Sequence, residues 1–194
     1  MTKRISLEDF RPIICGVLAT LLVGFSMNIL ILGSICIGDR FGTNAVSFLN
    51  EMSILVSFTV VPYLFFSKVL KYKVNIPNKH QILMGMLFNI IVLVILLATR
   101  DKSLVLHFLV IGVSEETAFR LILNDYLEDQ MGAGWALLIT SIIFAFVLHL
   151  NESILGNLFF RLPLGFGLGF IKKRYGLGKA IAAHWIYDVV VSTI

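Results

Sequence analysis

The residues of this chain with the clearest chemical potential are two adjacent glutamates and an arginine inside an apolar segment. They lie in Ser114–Arg120, "SEETAFR", within the run "LVLHFLVIGVSEETAFRLIL". On a helix, Glu116 and Arg120 share nearly one face, whereas Glu115 is turned about 100° away. Arg120 can therefore neutralise Glu116 and leave Glu115 available. On these residues alone, a structural ion pair that joins two helices is as well supported as acid–base chemistry.

Two other apolar segments carry histidines. The run "FAFVLHL" places His149 near its end, and "HWIYD" places His184 and Asp188 four residues apart, on one helical face. A lone histidine in a membrane helix more often bridges helices than catalyses a reaction. Three separate segments that supply an acid, a histidine, and a histidine with an acid are a stronger signal. Together they offer metal ligands or acid–base groups that can activate water.

The composition predicts the elements that must position these residues. Of 194 residues, 58% are hydrophobic and only 14% are charged, which is far from the composition of a soluble domain. Because a helix needs about 20 apolar residues to cross the hydrocarbon core, the chain has room for six or seven spans. We therefore predict an all-α polytopic transmembrane helical bundle of about six to seven spans, forming a single membrane domain over residues 1–194.

The apolar runs give approximate bounds for the spans. The first run is too long for the apolar part of a secretory signal and lacks a clear cleavage site, so we expect a permanent span. Cys15 and Cys36 lie in this run without metal-site spacing and are expected to be small apolar core residues. The predicted spans are 12–38, 45–67, 81–99, 103–123, 133–150, 154–171 and 179–194.

The basic residues between the spans predict the orientation. Eleven Lys and Arg residues fall on the side that includes the N-terminus, against three on the other side, which favours a cytoplasmic N-terminus. The bilayer already explains these charges, so no nucleic-acid partner is expected. The eleven are Lys3, Arg4, Arg11, Lys68, Lys71, Lys73, Lys79, Lys172, Lys173, Arg174 and Lys179, and the three are Arg40, Arg100 and Lys102.

The charged motifs, taken in order, resemble those of a known family. "EETAFR" fits EExxxR, and "HWIYD" fits the HxxxN or HxxxD motif of the CPBP intramembrane proteases, also called the Abi family. That group includes type II CAAX prenyl endopeptidases and bacteriocin-processing or immunity proteins. Its other motif is FxxxH, but here Phe144 stands five residues before His149, so we expect Phe144 or Phe146 to take the aromatic position. The resemblance covers about residues 104–194.

The resemblance implies roles for the motif residues. The family fold is a helical membrane bundle whose motif residues converge in a cavity that water and a peptide can reach. Glu115 would be the base that activates water, with help from His149, and Glu116 with Arg120 would support the structure. His184 and Asp188 would support the oxyanion or complete a metal site. Because an ionised Asp188 only accepts hydrogen bonds, we expect it to orient His184.

The resemblance leaves the metal open, although the family is commonly called metalloprotease. Glu115, His149 and His184 could form a three-ligand Zn²⁺ site with an open position. No free base would then remain, since Glu116 is expected to pair with Arg120. Both Zn²⁺ and a metal-independent mechanism therefore remain candidates.

Weaker signals are assigned structural roles. "GFGLG" at Gly165–Gly169 is expected to be a small-residue packing face rather than a nucleotide loop. His107 is expected in the core or lining a pore, and Arg161 either lines the cavity or extends to the membrane interface. The chain contains no HExxH, GxSxG or P-loop motif, which excludes zincins, serine hydrolases and NTPases.

We therefore predict an intramembrane endopeptidase that cleaves a membrane-associated or lipidated protein, or a small peptide, near the cytoplasmic face. Residues 104–194 would be the catalytic-motif core and residues 1–103 accessory spans, in a bacterial plasma membrane. The expected partners are a protein or peptide substrate and the lipid bilayer. The alternatives are a catalytically silent docking or bacteriocin self-immunity module, and a proton-coupled transporter subunit, which the lack of repeated halves disfavours.

Overall fold

The computed structural model describes residues 7–193, and all regular structure in this range is helical. The predicted all-α membrane bundle is confirmed. Lys3 and Arg4, and Ile194 of the last predicted span, lie outside the described residues. Several helices contain π-helical segments, in which each turn holds more residues than in an α-helix. The helices are α1 Leu7–Phe41; α2 Thr43–Leu64, continued by the π segment Phe65–Val69; α3 Lys79–Thr99; α4 Lys102–Glu116, continued by the π segment Thr117–Leu123 and by Asn124–Met131; α5 Ala133–Ile142, continued by the π segment Ile143–Leu148; α6, formed by Ile154–Gly156, the π segment Asn157–Arg161 and Leu162–Tyr175; and α7 Leu177–Val191.

Four of these helical regions are long and apolar enough to cross a membrane: Phe10–Ile37, Thr43–Val69, Lys79–Thr99 and Ile154–Tyr175. A shorter apolar helix spans Ala133–Leu148. The other two predicted spans lie in α4, which carries the charged motif, and in α7, whose helix has 15 residues. The outward faces of the bundle are lined with exposed large apolar side chains. These features indicate an integral membrane protein.

Helix α7 lies at the centre of the motif-bearing half and contacts α3, α4 and α6. Its Trp185 is fully buried, and the indole Nε1 donates a hydrogen bond of 2.8 Å to the Val105 carbonyl of α4. Ala182 and Val189, which lie on the same face of α7, are buried in the same cluster. A second cluster joins α1 and the end of α2 to α4 and α5. Of the two cysteines, Cys15 is buried in this cluster as expected, whereas Cys36 is exposed.

Antiparallel packing brings most of the loops with basic residues to one end of the bundle. We call this the basic end and define it as residues 68–79, 124–132 and 172–179. Lys172 pairs with Asp125, and Lys173 Nζ lies 2.9 Å from the Glu128 carboxylate. The Tyr72 hydroxyl donates to Asp129 at 2.9 Å. Burial, together with this hydrogen bond, raises the pKa of Tyr72, so the hydroxyl remains a donor.

We call the opposite end of the bundle the His149 end and define it as residues 100–102 and 149–153 with the C-terminus of α7. Helix α5 runs from the basic end to His149, and α6 returns from Ser153 to the basic end. The hydrogen bond between Trp185 and Val105 places the C-terminal part of α7 beside the N-terminal part of α4. The motif helices therefore alternate in direction, as the predicted spans require.

Glycines allow two close helix contacts. A Cβ atom at Gly165 would lie 3.2 Å from Ser141 Cα, and one at Gly169 would lie 2.3 Å from a Leu137 methyl group. The predicted small-residue packing face of α6 is therefore confirmed, and its partner is α5. At the basic end, Gly178 of α7 meets Gly85 of α3, where a Cβ at Gly178 would lie 2.4 Å from Gly85 Cα.

We expect Gly178→Ala to lower the free energy of unfolding by about 1–3 kcal/mol, since overpacking forces backbone shifts. Thermal unfolding in detergent micelles measures this loss. Gly167→Ala is the matched control, because a Cβ there would meet nothing within 4 Å. Equal unfolding temperatures for the two variants would contradict the packing of α3 against α7.

Candidate active site

The site begins at Glu116 and Arg120, which are both buried inside α4. Arg120 Nε lies 3.2 Å from Glu116 Oε2, but the alignment is not that of a hydrogen bond. The contact is thus an ion pair between neighbouring turns. The guanidinium also lies 4.9 Å from the centre of the Phe144 ring, in a cation–π arrangement. Arg120 is therefore held between a carboxylate and an aromatic face.

The second carboxylate oxygen of Glu116 binds His184 of α7. The distance from His184 Nδ1 to Glu116 Oε1 is 2.9 Å, and both side chains are buried. We assign the proton to Nδ1, because an ionised carboxylate can only accept a hydrogen bond. Glu116 therefore bridges Arg120 and His184. This second role of Glu116 was missed in the sequence, because separation along the chain gives no sign of which glutamate faces α7.

The other nitrogen of His184 faces two carboxylates. Nε2 lies 3.7 Å from Glu115 Oε2 and 3.5 Å from Asp188 Oδ2, and Asp188 is one turn further along α7. Both distances are long for hydrogen bonds. The bond that orients His184 thus comes from Glu116, although we expected this role for Asp188. Glu115 has no closer ionic partner within residues 7–193 and lies beside the ring.

Phe144 occupies the aromatic position of the displaced FxxxH motif. Its ring meets the His149 ring edge-on at 5.3 Å and the His184 ring at 5.9 Å. In an α-helix, residues five apart point in different directions, but Ile143–Leu148 is π-helical. The wider turn returns the fifth residue to the same face. The additional residue in the motif is therefore absorbed by the π segment, and Phe144 packs against both histidines.

His149 ends α5 in a non-helical conformation, with φ −103° and ψ 45°. Its carbonyl oxygen accepts hydrogen bonds from Asn157 Nδ2 at 2.9 Å and from the Glu152 backbone N–H at 3.2 Å. Arg161 binds Asn157 Oδ1 at 3.2 Å and Glu152 Oε1 at 3.2 Å. Arg161 is partly exposed, and its partner Glu152 lies in the exposed loop after His149, so the side chain joins α6 to the His149 end of the bundle.

This network fixes the backbone at His149, and sequence reasoning missed Asn157 and Glu152. One signal was present, because Asn157 and Arg161 stand four apart in an otherwise apolar helix. His107 does not join the site through a side-chain bond. Its Nδ1 lies 2.7 Å from Glu51 Oε1 of α2, at a partly exposed position.

The predicted Zn²⁺ ligands do not fit a metal site in this arrangement. Throughout residues 7–193, no group of three or more His, Cys, Asp or Glu side chains is placed to hold a metal ion. Both nitrogens of His184 face carboxylates, and the His149 ring packs against Phe144. Zn²⁺ binding by Glu115, His149 and His184 stays a prediction, and no step below depends on it.

Comparison with known families agrees with the motifs. Residues 102–190 match the family model described as "Rce1-like: Type II CAAX prenyl endopeptidase Rce1-like". The match covers a little under half of the chain, and we call residues 102–190 the Rce1-like segment. This Rce1-like segment runs from the start of α4 into the last turn of α7, so it contains the four candidate catalytic residues, while α1–α3 precede it. Searches of curated proteins and of solved structures returned no match.

We expect Phe144→Leu to destabilise the Rce1-like segment by more than about 1 kcal/mol, because it removes edge-on aromatic contacts and the cation–π contact. It should also expose the His149 ring. Chemical denaturation measures the first effect, and modification of His149 by diethyl pyrocarbonate, followed by mass spectrometry, measures the second.

Phe146→Leu is the control for this experiment. Phe146 is less buried than Phe144 and makes none of the ring contacts described for Phe144. A larger effect of Phe146→Leu on either measurement would contradict the assignment of Phe144 to the aromatic position.

Proposed function

We propose that the chain is an intramembrane endopeptidase that hydrolyses a peptide bond with an activated water. The observation that carries this proposal is the Glu115 carboxylate, which lies 3.7 Å from Nε2 of a histidine that a second glutamate holds in place and has no closer ionic partner among the described residues. An acid without a close ionic partner is energetically unfavourable inside an apolar bundle, and such residues usually mark functional sites. The description of the matched family, which names a prenyl endopeptidase, supports the same reaction class.

Glu115 would act as the general base. Its carboxylate takes a proton from water while the water oxygen attacks the carbonyl carbon of the substrate. The carbon–nitrogen bond then breaks, and the proton held by Glu115 passes to the leaving amine. The products are a carboxylic acid and an amine, so one water is consumed for each bond. His149, whose backbone is fixed by Asn157 and Glu152 at the end of α5, would help to hold this water.

His184 would stabilise the oxyanion that forms during attack. Since Nδ1–H donates to Glu116, a second proton at Nε2 makes the ring a cation that can donate to the oxyanion. Asp188 lies 3.5 Å from Nε2 and compensates this positive charge before the substrate arrives. In this proposal Glu115 acts on water, while Glu116 and Asp188 act on His184.

Glu116, Arg120 and Phe144 would be positioning residues. Glu116 holds His184 through Nδ1, and Arg120 neutralises Glu116. Phe144 packs against both histidine rings and against the guanidinium. None of these three groups needs to touch the substrate. Their shared effect is to fix Nε2 of His184 and the His149 ring relative to Glu115.

The geometry weakens one argument for a silent docking module. The displaced phenylalanine was its main support, and the π segment returns Phe144 to His149. A docking module needs no free carboxylate next to an oriented histidine. The substrate class that follows is a peptide, or a membrane-associated protein, whose scissile bond can reach Glu115 inside the bundle.

We expect Glu115→Gln to lower the rate of cleavage by about 10²–10⁴-fold, which is the usual contribution of a general base. The measurement compares peptide termini, by mass spectrometry, in membranes and medium of cells that express the wild type or the variant at matched levels. Termini present with the wild type and depleted with Glu115→Gln would identify the cleaved proteins.

Glu128→Gln is the matched control, because it makes the same chemical change in a surface ion pair at the basic end. An exposed pair contributes at most about 1 kcal/mol, so this variant should cleave like the wild type. Identical termini for the wild type and Glu115→Gln, with both proteins folded, would refute the endopeptidase proposal.

A further inference from the structure

A cavity of about 200 Å³ lies at the basic end of the bundle. Asn124 and Glu128 of α4 and Lys172 and Lys173 of α6 form its polar lining, and the start of α5, at Gly134, completes it. The cavity has room for several water molecules or for one small polar group. None of these five residues belongs to the motifs that build the candidate active site, so the cavity needs an account of its own.

The first turn of α5 brings backbone N–H groups without a helical partner to this cavity. Gly132, a residue that has no side chain to cap the helix, precedes it with φ +84°. The first helical hydrogen bond runs from the Ala136 N–H to the Gly132 carbonyl at 3.0 Å. The N–H groups of Ala133, Gly134 and Trp135 therefore have no partner within the helix, and the first two of these residues line the cavity. Such a helix N-terminus carries a partial positive charge and favours a phosphate or another anion.

Asn124 adds a buried amide to the lining, since this residue is only 7% exposed. Its Oδ1 lies 3.5 Å from the Thr140 hydroxyl, but that hydroxyl donates its single proton to the Ala136 carbonyl, at 2.6 Å. The amide nitrogen lies near Asp125, whose carboxylate is already paired with Lys172. Buried amides normally make strong hydrogen bonds. Within the described residues, Asn124 therefore retains hydrogen-bonding capacity that a ligand oxygen in the cavity can use.

The two lysines supply positive charge next to this amide. Lys172 pairs with Asp125, and Lys173 Nζ lies 2.9 Å from Glu128 Oε1. Because an ammonium group carries three N–H bonds, each lysine keeps donors for a further acceptor. The surroundings are also positive, since the basic end as a whole has eight Lys and Arg residues against three acidic residues. The cavity is therefore suited to a ligand with phosphate oxygens rather than to a cation.

Exposed aromatic residues place the cavity at the level of the lipid headgroups. Trp135, at the start of α5, is 63% exposed, and Tyr175, at the end of α6, is 56% exposed. Exposed Trp and Tyr residues at helix ends are typical of the membrane interface. One turn further into the bundle the lining becomes apolar, at Leu137 and Gly169. A phospholipid has the same order of groups, with its phosphate at the interface and its acyl chains below.

From these observations we infer that the cavity at the basic end binds the phosphate group of a membrane phospholipid. The free N–H groups of α5 and the Asn124 amide hold the phosphate oxygens, and Lys172 and Lys173 balance the charge. The acyl chains pass Leu137 on their way into the bilayer. The bound phosphate caps α5, the helix that ends at His149, and so stabilises it. This lipid site goes beyond the proposed endopeptidase function and does not depend on it.

Titration of dioleoyl-phosphatidylglycerol into the purified chain in detergent micelles, followed by native mass spectrometry, tests the site. We expect Lys173→Gln to weaken binding by at least about fivefold, the usual contribution of one lysine near a lipid headgroup. Asn124→Leu, which removes the amide at similar volume, should also weaken it. Lys73→Gln is the matched control, because it removes the same charge at an exposed position of the basic end outside the cavity lining. Its effect should stay below about twofold, since screening limits distant charges.

Equal losses for Lys173→Gln and Lys73→Gln would indicate attraction to the whole basic surface and overturn the cavity site. Two competitors test the chemistry of the ligand. Dioleoylglycerol has the same acyl chains without the phosphate, and displacement of the phospholipid by it would overturn the phosphate assignment. Inorganic phosphate that competes as well as the phospholipid would make the cavity a free-anion site and overturn the lipid assignment. If Asn124→Leu does not fold, Lys173→Gln and the two competitors decide the outcome.

Discussion

The structure depends on one buried carboxylate, Glu116, which is shared between two cations or potential cations. An ionised group inside an apolar bundle is costly unless charges and hydrogen-bond donors surround it. Arg120 supplies the charge from the same helix, and His184 supplies the donor from α7. The pairing of α4 with α7 is thus specified by chemistry as well as by packing. Loss of Arg120 or His184 would leave the Glu116 carboxylate buried without one of its two stabilising partners.

This arrangement also explains why the neighbouring glutamate remains free. Because Glu115 is the next residue along the helix, it cannot point at the same partners as Glu116. It lies instead beside Nε2, the nitrogen that Glu116 does not use. Of the two adjacent glutamates, Glu116 therefore holds His184 in place, and Glu115 is the one that acts on water in the proposed mechanism.

The helices and the approximate spans could be predicted from the sequence, because apolar runs and charge clusters follow directly from the physics of the bilayer. The i, i+4 pair Glu116–Arg120 could be predicted as well. The π segments could not be predicted, since their stability depends on the contacts that the wider turns make with neighbouring helices. For this reason the position of Phe144 looked displaced in the sequence although it packs against His149 in the fold. The contact between Glu116 and His184 joins residues 68 apart, a distance over which helical periodicity carries no information.

The helices before the Rce1-like segment complete the apolar packing around the buried ion pair of Glu116 and Arg120. Ala19 and Val23 of α1 pack in the same cluster as Phe119 and Phe144, and Phe66 closes the cluster from the end of α2. On the other side, Val92 of α3 is buried with Trp185 of α7. Electrostatic interactions strengthen when water is excluded. The ion pair of Glu116 and the orientation of His184 therefore depend on α1–α3, although none of these helices contributes a candidate catalytic residue.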